Sequence, residues 1–325
     1  MSILLNGELK LDWKPESSSD GEFIRRDSQF RNWITADGSP GPSGAGGFAA
    51  AAGRYHLYVS YACPWANRTL IFRTLKKLES FIDVSVVNPY MGPEGWSFKP
   101  CPGGTADQVH GYEYMYQVYQ QTQPDYSGIV TVPVLYDKQQ QTIVNNESSE
   151  IIRMLNSAFN DLTNDHTDYY PVDLRSEIDA VNEFVYDAIN NGVYRCGFAA
   201  SQQAYDKAFV ELFAALDKLE QRLAQQRYLA GDAVTEADWR LFVTLIRFDP
   251  VYVGHFKCNQ QRIADYPNLS NYMRELYQMP GIAATIDLDH IKQHYYQSHP
   301  TINPSGIVPQ GPAVDYHAPH DRDRF

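Results

Sequence analysis

The sequence predicts an α/β domain followed by an all-helical domain, on three observations. The first is Tyr55–Val59, an alternating aromatic and β-branched run that reads as a strand. It feeds through Cys63-Pro64 into an apolar helix carrying Leu70, Ile71, Leu75 and Leu78. The second is a further strand at residues 82–87, so that strand, helix and strand make a parallel βαβ unit. The third is a change of period: from Asp161 onward only helical spacing is found.

Composition sets the bounds. With 325 residues, 43% hydrophobic and 20% charged, the chain is globular and long enough for two domains. No apolar run approaches the roughly 20 residues needed to cross a bilayer. Met1 to Trp13 lacks the basic start and apolar stretch of a secretory signal. The four cysteines, at 63, 101, 196 and 258, are too scattered for a disulfide scaffold or a zinc site, so no metal is expected. A cytoplasmic, reducing setting is the default expectation. A net charge of −12 argues against nucleic acid or an anionic membrane as partner.

Taken in order, residues 1–48 form an arm with little periodicity, anchored by Phe30 and Trp33. Its Gly/Pro-rich stretch at 40–47 is a linker or surface loop. The α/β domain is expected over 49–160. After its βαβ unit comes an excursion from Asn88 to about Gly128, with a helix expected at 111–121 and an exposed-looking Trp96 that is a loop anchor or a ligand contact. Residues 130–136 and 142–144 read as a hairpin. Pro133 is out of place in a strand, and a cis Val132–Pro133 bond would account for it, leaving the Val132 N–H and C=O to pair with an extended ligand. Asn146-Glu147-Ser148-Ser149 precedes a helix at 151–159. These side chains are ordinary caps, and with the helix N–H groups they could also hold the ends of a γ-glutamyl moiety.

The helical domain is expected over 161–325. Ile178, Val181, Val185 and Ile189 share one face of a helix at 172–190, and Phe209, Leu212, Phe213, Leu216, Leu219 and Leu223 one face of a helix at 204–225. Thr235-Glu-Ala-Asp238 is a capping box opening the next helix. Another opens at Tyr266-Pro267 and ends near Met279, and the tail from Thr301 is extended.

Cys63 is the chemical centre of this reading. A free cysteine is usually a small buried residue. Here Pro64 suits the first helical position, which puts Cys63 at the N-cap. Its sulfur then faces unsatisfied N–H groups and the positive end of the helix dipole, both of which favour the thiolate. The pattern resembles the thioredoxin fold with an active-site cysteine. Position 66 is alanine, so no neighbouring thiol can resolve a mixed disulfide at Cys63. An external thiol must do so, which points to glutathione. Cys101, Cys196 and Cys258 carry no such motif and read as packing thiols.

A thioredoxin-like half with Cys-Pro, Val-Pro and Glu-Ser, followed by an all-helical half with Thr-x-x-Asp, resembles the glutathione transferase superfamily over about residues 50–290. Tyr61-Ala-Cys-Pro-Trp-Ala66, Asn146-Glu-Ser-Ser149 and the long Arg247-Phe-Asp-Pro-Val-Tyr-Val-Gly-His-Phe-Lys-Cys-Asn259 narrow this to the xi class, the glutathionyl-hydroquinone reductases. The resemblance implies that Cys63 attacks the glutathionyl sulfur of an S-glutathionyl-hydroquinone, and that a second glutathione releases it. It implies a glutathione site at Trp96, the backbone of Ile129, Val130, Thr131 and Val132, and Glu147 and Ser148. Family members often carry arginine where this chain has Ile129. Tyr194 would exchange the proton of the departing aromatic carbon, and Tyr252 and Tyr295 would line the pocket and help keep Cys63 ionised. Any single tyrosine of the 23 present would otherwise read as structural. A homodimer is expected. The competing enzyme reading is an omega-like thioltransferase or dehydroascorbate reductase, which shares Cys63 and differs in its pocket. A binding protein that had lost catalysis would not be expected to keep Cys63-Pro64, Pro133 and Glu147-Ser148.

Overall fold

The strand–Cys-Pro–helix stretch forms as its spacing predicts. A computed structural model describes residues 3–11 and 16–325. Met1, Ser2 and residues 12–15, part of the stretch expected to lack a signal, lie outside the described residues. The chain divides into two compact units. One holds residues 3–11, 26–167 and 285–298; the other holds 16–25, 168–284 and 299–325.

The first unit opens with a hairpin where the sequence shows little periodicity, β1 (Ile3–Leu5) and β2 (Glu8–Lys10). β3 (Ile34–Thr35) and β4 (Phe48–Ala49) pair in parallel around the 40–47 segment, which is therefore a loop within the unit. There follow β5 (Tyr55–Val59), α1 (Pro64–Leu75), β6 (Asp83–Val86), α2 (Met115–Thr122), β7 (Gly128–Ile129), β8 (Val134–Asp137), β9 (Thr142–Asn145), α3 (Ser148–Ser157) and α4 (Asn160–Thr163). The main sheet has the order β6-β5-β8-β9. β5 runs parallel to β6, completing the expected βαβ unit, and antiparallel to β8. Every residue of β5 is buried, as an interior strand requires.

Three expectations are corrected here. The strand expected over 130–136 begins only at Val134, because Pro133 has no N–H to give a ladder; the Val132–Pro133 peptide is cis, as expected. The helix expected at 111–121 starts at Met115. Trp96 is not exposed: it retains 6% of its surface and stacks on the His294 ring at 4.6 Å and 23°.

The second unit contains α5 (Arg175–Val185), α6 (Gly192–Gly197), α7 (Gln202–Leu223), α8 (Glu236–Arg247) and α9 (Pro267–Gln278). Ile178, Val181, Val185 and Ile189 are all buried, as their spacing predicts. The helix expected over 172–190 is interrupted, however, by a π-helical turn at Tyr186–Asn190. That widened turn presents Asn190 to α8, where Nδ2 donates to the Arg240 carbonyl and to Thr244 Oγ1 at 3.0 and 2.7 Å. A second π-turn, Phe248–Tyr252, contains Pro250, which has no N–H for the regular ladder. The Thr235–Asp238 capping box forms at the start of α8. The last helix, α10 (Leu288–Ser298), is counted with the first unit. Among the described residues, no helix is long and apolar enough to cross a membrane.

Candidate active site

Cys63 is the N-cap of α1, with Pro64 in the first turn. Its φ/ψ of −75°/120° is extended, and the Asn67 N–H donates to its carbonyl at 3.0 Å, starting the helix. The thiol sits half-buried and donates to the Val132 carbonyl at 3.3 Å. The two features that the sequence singles out, the Cys-Pro turn and the Val-Pro bond, thus meet at one hydrogen bond. Tyr119 secures the residue before Val132: its hydroxyl donates to the Thr131 carbonyl at 3.0 Å and accepts from the Thr131 N–H at 3.2 Å. Val130 is buried, and the Ile129 carbonyl accepts from the Tyr126 hydroxyl at 3.3 Å. Ile129 also pairs with Ile3 across the β1–β7 ladder. The backbone of Ile129 and Thr131 is therefore engaged internally.

Glu147 caps α3. Its Oε1 accepts from the Ser149 N–H at 3.0 Å and the Ser149 hydroxyl at 2.9 Å, and Oε2 accepts from Ser28 Oγ at 3.2 Å. Burial pushes the carboxyl up, but the Ser149 amide and hydroxyl, the nearby Arg68 charge and Ser28 together hold it below the usual range. Ser148, the first residue of α3, is buried and accepts from Arg68 Nη1 at 3.3 Å. The Arg68 guanidinium also lies over the Trp65 ring, 4.5 Å from its centroid.

Trp96 is held from α10. His294, buried against it, bonds through Nδ1 to the Pro89 carbonyl at 3.0 Å, and Met91 N–H donates to Ser298 Oγ at 2.9 Å. Tyr295, on the same helix, is 1% exposed and lies edge-on to His294. The first unit thus carries Cys63, Trp96, residues 129–132, Glu147, Ser148 and Tyr295.

Tyr194 and Tyr252 belong to the helical unit, and there they come together. Tyr194 projects from α6 into an aromatic cluster with ring centroids 5.5 Å from Phe256, 6.2 Å from Tyr252 and 6.3 Å from Phe198. Tyr252 is fully buried and stacks on Phe256 at 5.4 Å and 10°. Gly197 makes the approach possible: a Cβ there would lie 2.2 Å from Phe256 Cδ1. The arm reaches this cluster too, with the Arg25 guanidinium 4.8 Å from the centroid of the Tyr194 ring.

Sequence reasoning does not single out Arg68, Ser28, Tyr119, His294 or Arg25. Arg68 alone leaves a local signal, a charge one turn beyond Trp65 and close to the apolar run Leu70, Ile71 and Phe72. Ser28 and Glu147 are 119 residues apart, and no local pattern pairs them.

Comparison with known proteins places the chain in a family. The N-terminal domain model of the glutathione S-transferases matches residues 62–158, and the C-terminal domain model residues 202–275. The chain is 56% identical over 324 residues to the glutathionyl-hydroquinone reductase YqjG of Escherichia coli K12, covering 99% of each chain. It is 52% identical to the glutathionyl-hydroquinone reductase PcpF of Sphingobium chlorophenolicum, covering 96% of this chain and 97% of that one. The glutathione-bound structure of YqjG superposes with a TM-score of 0.90 at 59% identity, covering 91% of this chain and 97% of that one. A xi class transferase from Natrialba magadii superposes with a TM-score of 0.92 at 48% identity, covering 100% of this chain and 97% of that one.

Proposed function

The chain belongs to the xi class of the glutathione transferases, and from that premise we propose that it is a glutathionyl-hydroquinone reductase. The observation that carries the chemistry is Cys63 at the N-cap of α1, facing the Val132 carbonyl, with Ala66 where a resolving thiol would stand. A nucleophile so placed and so isolated needs glutathione to complete its cycle.

The Cys63 thiolate attacks the sulfur of an S-glutathionyl-hydroquinone, forming a Cys63–glutathione disulfide as the aryl carbon–sulfur bond breaks. The bonding pair passes to the ring carbon, which takes a proton from Tyr194. A second glutathione then attacks the mixed disulfide, oxidised glutathione leaves, and its thiol proton restores Tyr194. The sum is S-glutathionyl-hydroquinone plus glutathione giving hydroquinone plus oxidised glutathione. A phenol with an ordinary pKa near 10 serves as the acid only where it meets the reacting carbon.

We assign glutathione to Trp96, Glu147, Ser148 and the 129–132 segment, in which the internally bonded Ile129 and Thr131, with Val130, hold the Val132 backbone toward the ligand. The anionic Glu147 carboxylate and the N-terminus of α3 suit the opposite charges of a γ-glutamyl group. Tyr252 and Tyr295 serve as pocket walls and hydroxyl donors to the thiolate. Residues 49–160 form the glutathione domain and 161–325 the substrate domain of a cytoplasmic homodimer. The family membership supports these assignments.

The test is turnover with S-glutathionyl-hydroquinone and glutathione, following both products by chromatography. Hydroquinone and oxidised glutathione appear in equal amounts, and Cys63→Ala abolishes both. Wild-type turnover in Cys63→Ala would sink the mechanism. Reduction of a small mixed disulfide without hydroquinone release would move the chain to the omega-like thioltransferase or dehydroascorbate reductase reading.

A further inference from the structure

Tyr194 has a charged neighbour from far away in the chain. Residues 16–25 belong to the helical unit, and a set of directional contacts seats them on it. The Ala200 N–H donates to the Gly21 carbonyl at 2.9 Å, Ser201 Oγ donates to the Asp20 carbonyl at 2.7 Å, and Lys207 Nζ bonds Glu22 Oε1 at 2.7 Å. Phe23 packs on Phe198 at 5.5 Å. This seating delivers Arg25 to the face of Tyr194, 4.8 Å from the ring centroid. Its Nε donates to Asn191 Oδ1 at 2.7 Å, and Asn191 is the N-cap of α6, three residues before Tyr194. One short helix therefore fixes both the phenol and the cation above it.

We propose that Arg25 is a positioning residue for proton transfer, its guanidinium stabilising the phenolate that Tyr194 becomes on giving its proton to the ring carbon of the departing hydroquinone. This rests on Tyr194 as the proton donor. A cation over a phenol face is attracted by the ring quadrupole, and the attraction grows when the ring becomes anionic. A better-stabilised phenolate makes a stronger acid, which speeds protonation of carbon. From the π-turn after α8, Tyr252 packs on Tyr194, and beyond Phe256 and Phe198 lies the hydrogen-bonded pair of His255 and His299. Asp187, Arg195, Glu211 and Lys218 line the cavity that Arg25 shares. Arg195 there is engaged by Glu211 at 2.7 Å, and the Lys218 ammonium lies over Phe184 at 4.4 Å.

The experiment is the pH dependence of the single-turnover rate of hydroquinone release, with Tyr194→Phe alongside. In the wild type the rate falls on the alkaline side as Tyr194 ionises. Arg25→Met moves that limb up by about one pH unit and slows release roughly tenfold at neutral pH, leaving the glutathione KM in place. Arg25→Lys, which keeps the charge, restores most of both. A wild-type limb and rate in Arg25→Met, with Tyr194→Phe inactive, overturns the role of Arg25 and spares that of Tyr194. Wild-type release by Tyr194→Phe overturns both. Should Arg25→Met not fold, Asn191→Ala removes the hydrogen bond that orients Arg25 Nε and shifts the limb in the same direction; an unshifted limb there overturns the proposal.

Discussion

Cys63 and Glu147 occupy the same kind of position, the N-cap of a helix, and the difference between them is chemical. Cys63 makes no capping bond with its side chain, and its thiol instead donates to the Val132 carbonyl. Glu147 does cap its helix, through the Ser149 N–H, and keeps a second oxygen on the Ser28 hydroxyl. Removing Glu147 therefore has two separable effects. Glu147→Ala lowers stability by about 1 kcal/mol through the lost cap. It also raises the KM for glutathione at least tenfold by removing the counter-charge for the γ-glutamyl amine, an effect of roughly 1.4 kcal/mol or more. Glu147→Gln keeps a capping oxygen and loses the charge, so it retains stability and shows the KM effect alone. Parallel thermal melts and glutathione titrations of the two variants separate the contributions; a glutathione KM unchanged in both removes Glu147 from the site. Cys63 was legible because everything that defines it lies between Tyr55 and Leu78. Ser28 and Arg25 were not, because each acts on a residue brought close only by folding, and Arg68 was legible only as a charge near Trp65, not as the partner of Ser148.

At the scale of elements, the readable ones are those whose apolar period matches one face in contact with a core. α7, α8 and α9 appear close to their expected limits for this reason. The two π-turns were not readable, since the pattern of buried residues runs through them unbroken and only the backbone ladder changes. The extended tail likewise showed no period, yet it ends in an element contact of consequence. Arg322 is fully buried among tail residues and donates to the carbonyls of Leu223, Gln226 and Arg227 at 2.7, 2.7 and 2.6 Å. These lie at and just past the C-terminus of α7, where carbonyls have no intrahelical partner and the dipole favours a cation. Arg322→Ala leaves them without donors in a buried setting, at a cost of roughly 3 kcal/mol. A thermal melt of that variant should fall by about 6–12 °C. A melting temperature within 2 °C of the wild type would mean that water replaces the guanidinium and that the tail does not brace α7.

Two of the buried histidines, one in each unit, have pKa values lowered by burial, and they make the whole molecule sensitive to acid. His56 is an interior residue of β5, bonded through Nε2 to Ser85 Oγ at 2.8 Å, and burial lowers its pKa to about 4. His255 in the helical unit is lowered to about 4 by burial and by Lys257, and its Nε2 shares a proton with His299 Nδ1 at 3.0 Å. Unfolded histidine takes up its proton near pH 6.5. Between pH 6.5 and 4 the unfolded chain therefore binds protons that the folded chain refuses, and stability falls with pH across that window. Each residue contributes on the order of 3 kcal/mol, present above pH 6.5 and lost by about pH 4. A second loss follows at lower pH. Asp165 is held well below the usual carboxylate range by Lys77, Thr167 and Lys76 against the opposing effect of burial, so the unfolded chain takes up this proton first and the stability supplied by the ionised form is lost as the pH falls below about 4. An opposing effect also exists: the net charge of −12 shrinks on acidification and relieves self-repulsion. That effect acts over long distances and is screened beyond about 8 Å at 0.15 M salt, whereas the histidines are buried and are not. Urea unfolding at 0.15 M salt should thus give its highest midpoint near pH 7 and a steady decline to pH 4.5, and His56→Gln should flatten part of the decline. A midpoint constant or rising from pH 7 to 5 would show that relief of charge repulsion outweighs histidine burial in this fold.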